Sequence, residues 1–291
     1  MANNTKDIQI LDQDIDDGAG TFRVRVGKGV RYLNIEKGVF PDNIMSHPAA
    51  LVSALIREPQ CLPDNDWTDV DISRNGRGEI STTTSAYSYD EDDIKLELEH
   101  EHAVEVLMLS SKNKIRSGVD EVEWHGPDGN GAAVAAIAKI ACFHDQLPRI
   151  ETETWAYKEL EDAYKQGSRP TAVFPRFLAQ IVEHGRPMGV LLEKLEGDHA
   201  GIDDLAECAA VVRQLHAVGI VHGDLNRYNF VVDRRNGKKV VRVIDFEKAE
   251  PFIKEKAEAE LQSLAAKLED ESGIGGTFGM PIEQEAAAGQ Q

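Results

Sequence analysis

Cysteine is scarce in this chain. The three that occur, Cys61, Cys142 and Cys208, stand far apart with no C-x-x-C spacing, a pattern that supports neither a disulfide framework nor a zinc site. The opening residues, MANNTKDIQILDQDIDD, lack the positive and apolar regions of a secretory leader, and no apolar run reaches membrane-spanning length. Positive charge is short as well. With 32 Lys and Arg against 51 Asp and Glu, the net charge is -19, so nucleic acid and anionic membrane surfaces would be repelled rather than bound. These absences predict an intracellular protein, cytoplasmic or nuclear, with neither nucleic acid nor membrane as partner.

What is present is ordinary globular text, 291 residues with 41% hydrophobic and 29% charged. Residues 1 to 20 read as a loose acidic tail, TFRVRVGKGVRYLNI as a strand or hairpin, and SHPAALVSALIRE as a short helix closed by Pro59. From Leu62 to Asp93 the chain reads as irregular, with one short strand around ISTTTSAYSY and Ser81–Ser85 as a polar loop. Trp67 reads as the cover of a local core. Strands are predicted at AVEVLML (103–109) and AAVAAIAKIACF (132–143), with one more between them, and at MGVLLEKLEG. Helices are predicted at ETETWAYKELEDAYKQG, closed by Gly167, at DDLAECAAVVRQLHAVG, with Asp203 or Asp204 as cap, and at FIKEKAEAELQSLAAKLEDE.

The densest chemistry lies between His222 and Glu247. Two apolar strands, FVVDR and KKVVRVI, flank Asn236-Gly237, the strongest short-range hairpin signal. Pairing Arg235 with Lys238 puts Asn229 opposite Ile244, so Asp245 lies one residue beyond. An amide oxygen and a carboxylate then meet at the open end of one hairpin, a donor set suited to magnesium. Asp224, five residues before Asn229, is left to accept or orient the proton of an attacking hydroxyl. Glu99-His100-Glu101-His102 alternates within an acidic run and reads as a solvated face rather than a metal site.

The segment His222-Gly223-Asp224-Leu225 with Asn229 resembles the kinase catalytic loop, H-x-D-L with asparagine five residues after the aspartate, and Asp245-Phe246-Glu247 resembles the metal-binding D-F-G. The wording HGDL and the glutamate after Asp-Phe are similar to aminoglycoside and choline phosphotransferases, RIO-type kinases and fungal kinase-like proteins. This resemblance to the protein-kinase-like superfamily implies a two-lobed α+β fold, ATP and Mg2+ as cofactors, and a hydroxyl-bearing protein or small molecule as acceptor. His222 would then be a scaffold residue.

Upstream, Lys139 interrupts a run apolar on both faces and is costly to bury unless an anion meets it. AIAKI resembles the kinase V-A-I-K strand, whose lysine contacts ATP phosphates and pairs with a helix glutamate. Glu153, Tyr157, Leu160 and Tyr164 follow helical spacing, which places Glu153 on the inward stripe and makes it the partner. By the same resemblance GVLLEKLEG is the hinge, where backbone groups of Glu193 and Leu195 would meet adenine and Leu192 would guard the pocket.

Three departures qualify the pattern. No G-x-G-x-x-G precedes Lys139; SSKNKIRSG holds one glycine, and HGPDGNGA sits close to the lysine. Gly223 replaces the arginine of H-R-D, and Asn226 stands where a lysine is usual, with Arg227 as a substitute cation. Only 46 residues follow Asp245, which implies a reduced C-lobe. The expected organisation is an N-terminal extension over 1–100, a kinase-like N-lobe over 101–195 and a reduced C-lobe over 196–291. A pseudokinase scaffold with little or no nucleotide binding is the alternative reading.

Overall fold

The computed structural model describes residues 7–64, 66–86, 96–127, 129–165 and 173–273. The chain divides into two units, Met1–Lys95 and Leu96–Gln291. Gly167 lies outside the described residues, so the expected helix closure there does too. Among the described residues no helix is long and apolar enough to cross a membrane.

In the first unit, strands β1 (Ile8–Asp16), β2 (Ala19–Val26), β3 (Gly29–Ile35), β4 (Asp69–Arg74) and β5 (Ile80–Ser85) form one sheet in sequence order. Only β3 and β4 run parallel, a step that needs a crossover. Helices α1 (Asp42–Met45) and α2 (Pro48–Arg57) provide it. Pro48 opens α2, where its missing N–H costs nothing. Alternate residues Phe22, Val24, Leu33, Ile35, Val70 and Ile72 form a core with Leu51 and Leu55 of α2, and Trp67 is buried in it as expected.

Two expectations fail in this unit. From Ile8 to Asp16 the expected loose tail is strand β1, because Ile8, Ile10 and Ile15 pack on the core while Gln9, Asp14 and Asp16 face outward. The short strand expected around ISTTTSAYSY is present as β5, and Ser81–Ser85, read as a polar loop, lies within it, paired to β4. As an edge strand β5 needs few apolar residues, which is why its text resembles a loop.

The second unit is mixed α+β. Its main sheet has the order β6-β10-β11-β9-β8-β7, built from β6 (Ala103–Glu105), β7 (Ser110–Arg116), β8 (Val119–Trp124), β9 (Val134–Ile140), β10 (Phe177–Glu183) and β11 (Arg186–Glu193). Helix α3 (Leu147–Lys165) follows β9. The AVEVLML strand shrinks to three residues followed by a 3-10 turn, and the segment after it holds two strands instead of one. Strand β10 was not legible, because it is buried on nearly every residue and shows no alternation.

Past β11 come β12 (Asp198–His199), α4 (Leu205–Val218), β13 (Ile220–Val221), β14 (Phe230–Asp233), β15 (Val240–Val243), β16 (Glu250–Pro251) and α5 (Lys254–Glu269). Helix α4 ends on Gly219 at φ 95°, the left-handed C-terminal position that glycine favours. Asp204 precedes α4 without bonding to its first turn. It accepts instead from the Gly201 amide and pairs with Arg234 and Lys239. The β14–β15 hairpin pairs Phe230 with Val243 and Asp233 with Val240. The Ile244 amide donates to the Asn229 carbonyl at 2.9 Å, the opposition that the Asn-Gly turn predicts.

The close fit of β9 to β11 is testable. A Cβ on Gly189 would lie 2.4 Å from the Lys139 carbonyl oxygen. Gly189→Ala is expected to lower stability by about 1–3 kcal/mol, read as the urea midpoint. An unchanged midpoint would contradict that packing.

Candidate active site

Strand β9 carries Lys139 into the interior, where its side chain is 4% exposed. An ammonium cannot stay charged there alone. Its Nζ donates to Glu153 Oε1 at 2.8 Å and Oε2 at 3.0 Å, and to Asp245 Oδ1 at 2.6 Å. Glu153, from the second turn of α3, is fully buried, and Tyr157 and Leu160 continue its inward stripe. Tyr164 does not: the stripe ends before it, and that ring is 46% exposed.

Burial pulls the Lys139 ammonium down, but Glu153, Asp245 and Glu247 outweigh it and hold the group above its ordinary value. Glu153 is the most enclosed partner, and burial pushes its carboxyl up to about 7 while Lys139 opposes the rise. For Asp245, burial pushes upward but Lys139, Arg116 and His222 win, and the carboxyl is held below its usual range. The cluster therefore keeps a cation and at least one carboxylate charged at neutral pH.

The loop after β13 is fixed by its own polar side chains. Buried His222 meets the Ile244 carbonyl through Nε2 at 3.0 Å, while its Nδ1 accepts the Asp224 amide at 3.3 Å. That pair of contacts requires the neutral Nε2–H tautomer, in accord with a value lowered by burial. Asn226 Oδ1 accepts the amides of Tyr228 and Asn229 at 2.9 and 3.2 Å. The Asn226 and Asn229 amide groups both donate to the Asp224 carbonyl, at 3.1 and 2.8 Å. Asn226 is thus a loop brace, and Asn229 is oriented with its nitrogen committed.

Asp245 sits at φ 70°, a left-handed conformation that costs a non-glycine residue and gathers at functional sites. The backbone kink turns its carboxylate toward Lys139 and sends Phe246 the other way. Phe246 packs tilted against His222 (ring centroids 5.1 Å) and edge-on against Tyr157 (5.2 Å), and Tyr157 continues to Phe177 (5.9 Å). The Phe246 amide donates to Glu153 Oε1 at 3.3 Å. One aromatic column thus joins the sheet, α3 and the loop, with the ion cluster beside it.

The structure brings Lys139, Glu153 and Asp245 into direct contact and ties Asn229 to the Asp224 backbone. The Asp224 carboxylate stays partly exposed, 3.0 Å from Lys248 Nζ. Leu192 is buried in the core. Glu193 and Leu195 line a cleft of about 150 Å³ with Lys194, Val231 and Arg242, and the Glu193 amide is already given to the Arg176 carbonyl at 2.9 Å. Arg227 pairs with Glu271.

Sequence reading missed three contributors, Lys248, Glu260 and Arg116, and named Glu247 without its partner. Lys248 is the cation beside Asp224. Glu260 of α5 accepts the Gly223 amide at 2.7 Å and meets His216 of α4 at 2.8 Å. Glu247 and Arg116 pair at 2.7 Å next to the Lys139 cluster. Lys248 adjoins Asp245-Phe246-Glu247, which could have flagged it; nothing local marks Glu260 or Arg116.

Gly223 is a structural requirement. Its φ is 79°, and a Cβ there would stand 2.1 Å from the Lys248 carbonyl oxygen. Gly223→Arg, which restores the H-R-D wording, is expected to lower the melting temperature and displace Asp224 rather than improve the site. Calorimetry and activity on the same sample check this, and a variant as stable as the parent would contradict it.

Residues 196–275 match the family described as lipopolysaccharide kinase (Kdo/WaaP), a stretch that includes the loop, the β14–β15 hairpin, Asp245 and α5. No curated protein matches the chain. The match supports a kinase-like enzyme. That family lies within the protein-kinase-like superfamily, and the likeness covers residues 196–275 of the 291.

Proposed function

We propose that this protein is an ATP-dependent phosphotransferase that moves the γ-phosphoryl group to a hydroxyl acceptor. On this reading residues 101–195 are a kinase-like N-lobe, 196–291 are a reduced C-lobe, and 1–100 are an added N-terminal part. The observation that carries it is the meeting of Lys139, Glu153 and Asp245, with Asp245 in a left-handed conformation beside the aromatic column.

The donor set fits a magnesium ion: the low-lying Asp245 carboxyl supplies a hard anionic oxygen and Asn229 an amide oxygen. Bound there, the ion would supply positive charge to the phosphate oxygens. Lys139, kept charged by Glu153, would hold the α- and β-phosphates. Asp224, its backbone fixed by His222, Asn226 and Asn229, would orient the acceptor hydroxyl and take its proton. Lys248, 3.0 Å from Asp224, would offset charge building beside it. The Glu193 and Leu195 cleft would receive adenine, with Leu192 behind it. The matched family's name directs the first acceptor panel to sugar hydroxyls, with proteins next.

The pseudokinase reading draws on the Arg116–Glu247 pair, which sits where phosphates would enter. One assay separates the two. With magnesium, ATP and an acceptor panel, the parent protein is expected to transfer phosphate, and Asp224→Ala is expected to lose about 10²–10⁴-fold in kcat with ATP affinity kept. Absence of any stabilisation by MgATP in the parent protein would overturn the assignment.

A further inference from the structure

The chain lacks the glycines that would let backbone amides wrap a triphosphate, yet the reversal before Lys139 is built with care. Strands β7 and β8 join through Ser117-Gly118. Gly118 is used for packing: its φ is 68°, and a Cβ would meet the Ile140 carbonyl oxygen at 2.4 Å. The same two residues are linked by the Ile140 amide, which donates to the Gly118 carbonyl at 2.7 Å. The hairpin tip is therefore pinned to the strand that carries Lys139. HGPDGNGA, the other glycine-bearing segment, lies in the β8–β9 connection.

Arg116 is the last residue of β7 and reaches from this tip into the ion cluster. Its Nη2 donates to Glu247 Oε1 at 2.7 Å and stands 4.0 Å from Asp245 Oδ2. The Nε of the same guanidinium is buried and has no acceptor among the described residues. Nε and Nη2 form one edge of the fork, the edge that grips carboxylates and phosphates with two parallel bonds. Half of that edge is in use. A buried charged donor without a partner is costly, and a phosphate oxygen is an acceptor of the right kind.

The surroundings agree. Arg116 borders a cleft of about 210 Å³ with Gly118, Lys139, Arg149 and Glu247, three cationic side chains to one carboxylate. Inside the cluster itself, Lys139 and Arg116 face Glu153, Asp245 and Glu247, so two cations meet three acids. A divalent ion on Asp245 would reverse that balance and free the guanidinium from Glu247 for an incoming anion.

We propose that Arg116 is a phosphate-binding residue of the nucleotide site, its side chain doing from a pinned hairpin tip what a glycine-rich backbone does elsewhere. The inference rests on the phosphotransferase reading above. Glu247 then acts as the placeholder that keeps the guanidinium aimed when no nucleotide is bound.

Isothermal titration of the 291-residue chain with MgATP tests this, alongside the melting temperature of each unliganded form. Arg116→Ala is expected to weaken MgATP binding roughly 10- to 100-fold with little change in melting temperature. Arg116→Lys, which keeps the charge and loses the fork, is expected to fall between the two. The loss should persist in a Glu247→Gln background, which shows that it does not come from uncovering an acid. If Arg116→Ala binds MgATP as the parent does while Lys139→Met does not, the Arg116 inference fails and the phosphotransferase reading stands. If Arg116→Ala weakens binding only together with a collapsed melting temperature that Arg116→Lys does not restore, Arg116 is structural and the inference also fails. If the parent protein itself does not bind MgATP, the phosphotransferase reading falls first and takes this inference with it.

Discussion

The site depends on a lysine that cannot be buried alone. Lys139 enters the interior on a strand paired on both sides, and removing its charge partners would leave an ammonium in a low-dielectric setting, at a cost of about 3–5 kcal/mol. Glu153 and Asp245 supply those partners from a helix 14 residues on and a hairpin end 106 residues on. The cluster is thus both a cost to the fold and a constraint on it. It ties together segments that share no backbone pairing, and it leaves charged oxygens and a cation grouped at one place.

The aromatic column provides the apolar counterpart. Asp245 adopts a positive φ with Phe246 against His222 and Tyr157 on one side and its own carboxylate on Lys139 on the other. Conformational strain at one residue is offset by packing on one side and ion pairing on the other. His222 couples the two, contacting the ring of Phe246 while its nitrogens hold Ile244 and Asp224. Glu260 extends the coupling to α5 by holding Gly223 and His216, so α5 is joined to the loop it follows.

Legibility in the sequence follows the range of the interaction. The Asn-Gly reversal is local, so the Asn229–Ile244 opposition could be counted from the turn. The inward placement of Glu153 followed from helical spacing, and the need of Lys139 for an anion followed from its apolar flanks. Tyr164 broke the stripe because the end of α3 no longer faces the core. Strand β10 hid because both its faces are buried, and β1 hid because polar residues, Gln9, Asp14 and Asp16, occupy its outward positions and the acidic Asp12 is buried among its apolar ones. Arg116 and Glu260 could not be found, since their partners lie 131 and 37 residues away and no periodicity connects them. Lys248 was readable in principle, but its relation to Asp224 depends on the close approach that Gly223 permits.

The N-terminal unit has its own sheet and core, and among the described residues the one group of metal-ligating side chains lies outside it, at Glu153, Asp245 and Glu247. The central claim therefore rests on the Lys139 cluster and the loop beside it. A crystal structure of the protein with magnesium and a non-hydrolysable ATP analogue tests it most directly. The account predicts Lys139 on the nucleotide phosphates, the metal on Asp245 and Asn229, and the γ-phosphate facing Asp224. A nucleotide bound elsewhere, or Asp245 and Asn229 turned away from a common metal, would contradict it.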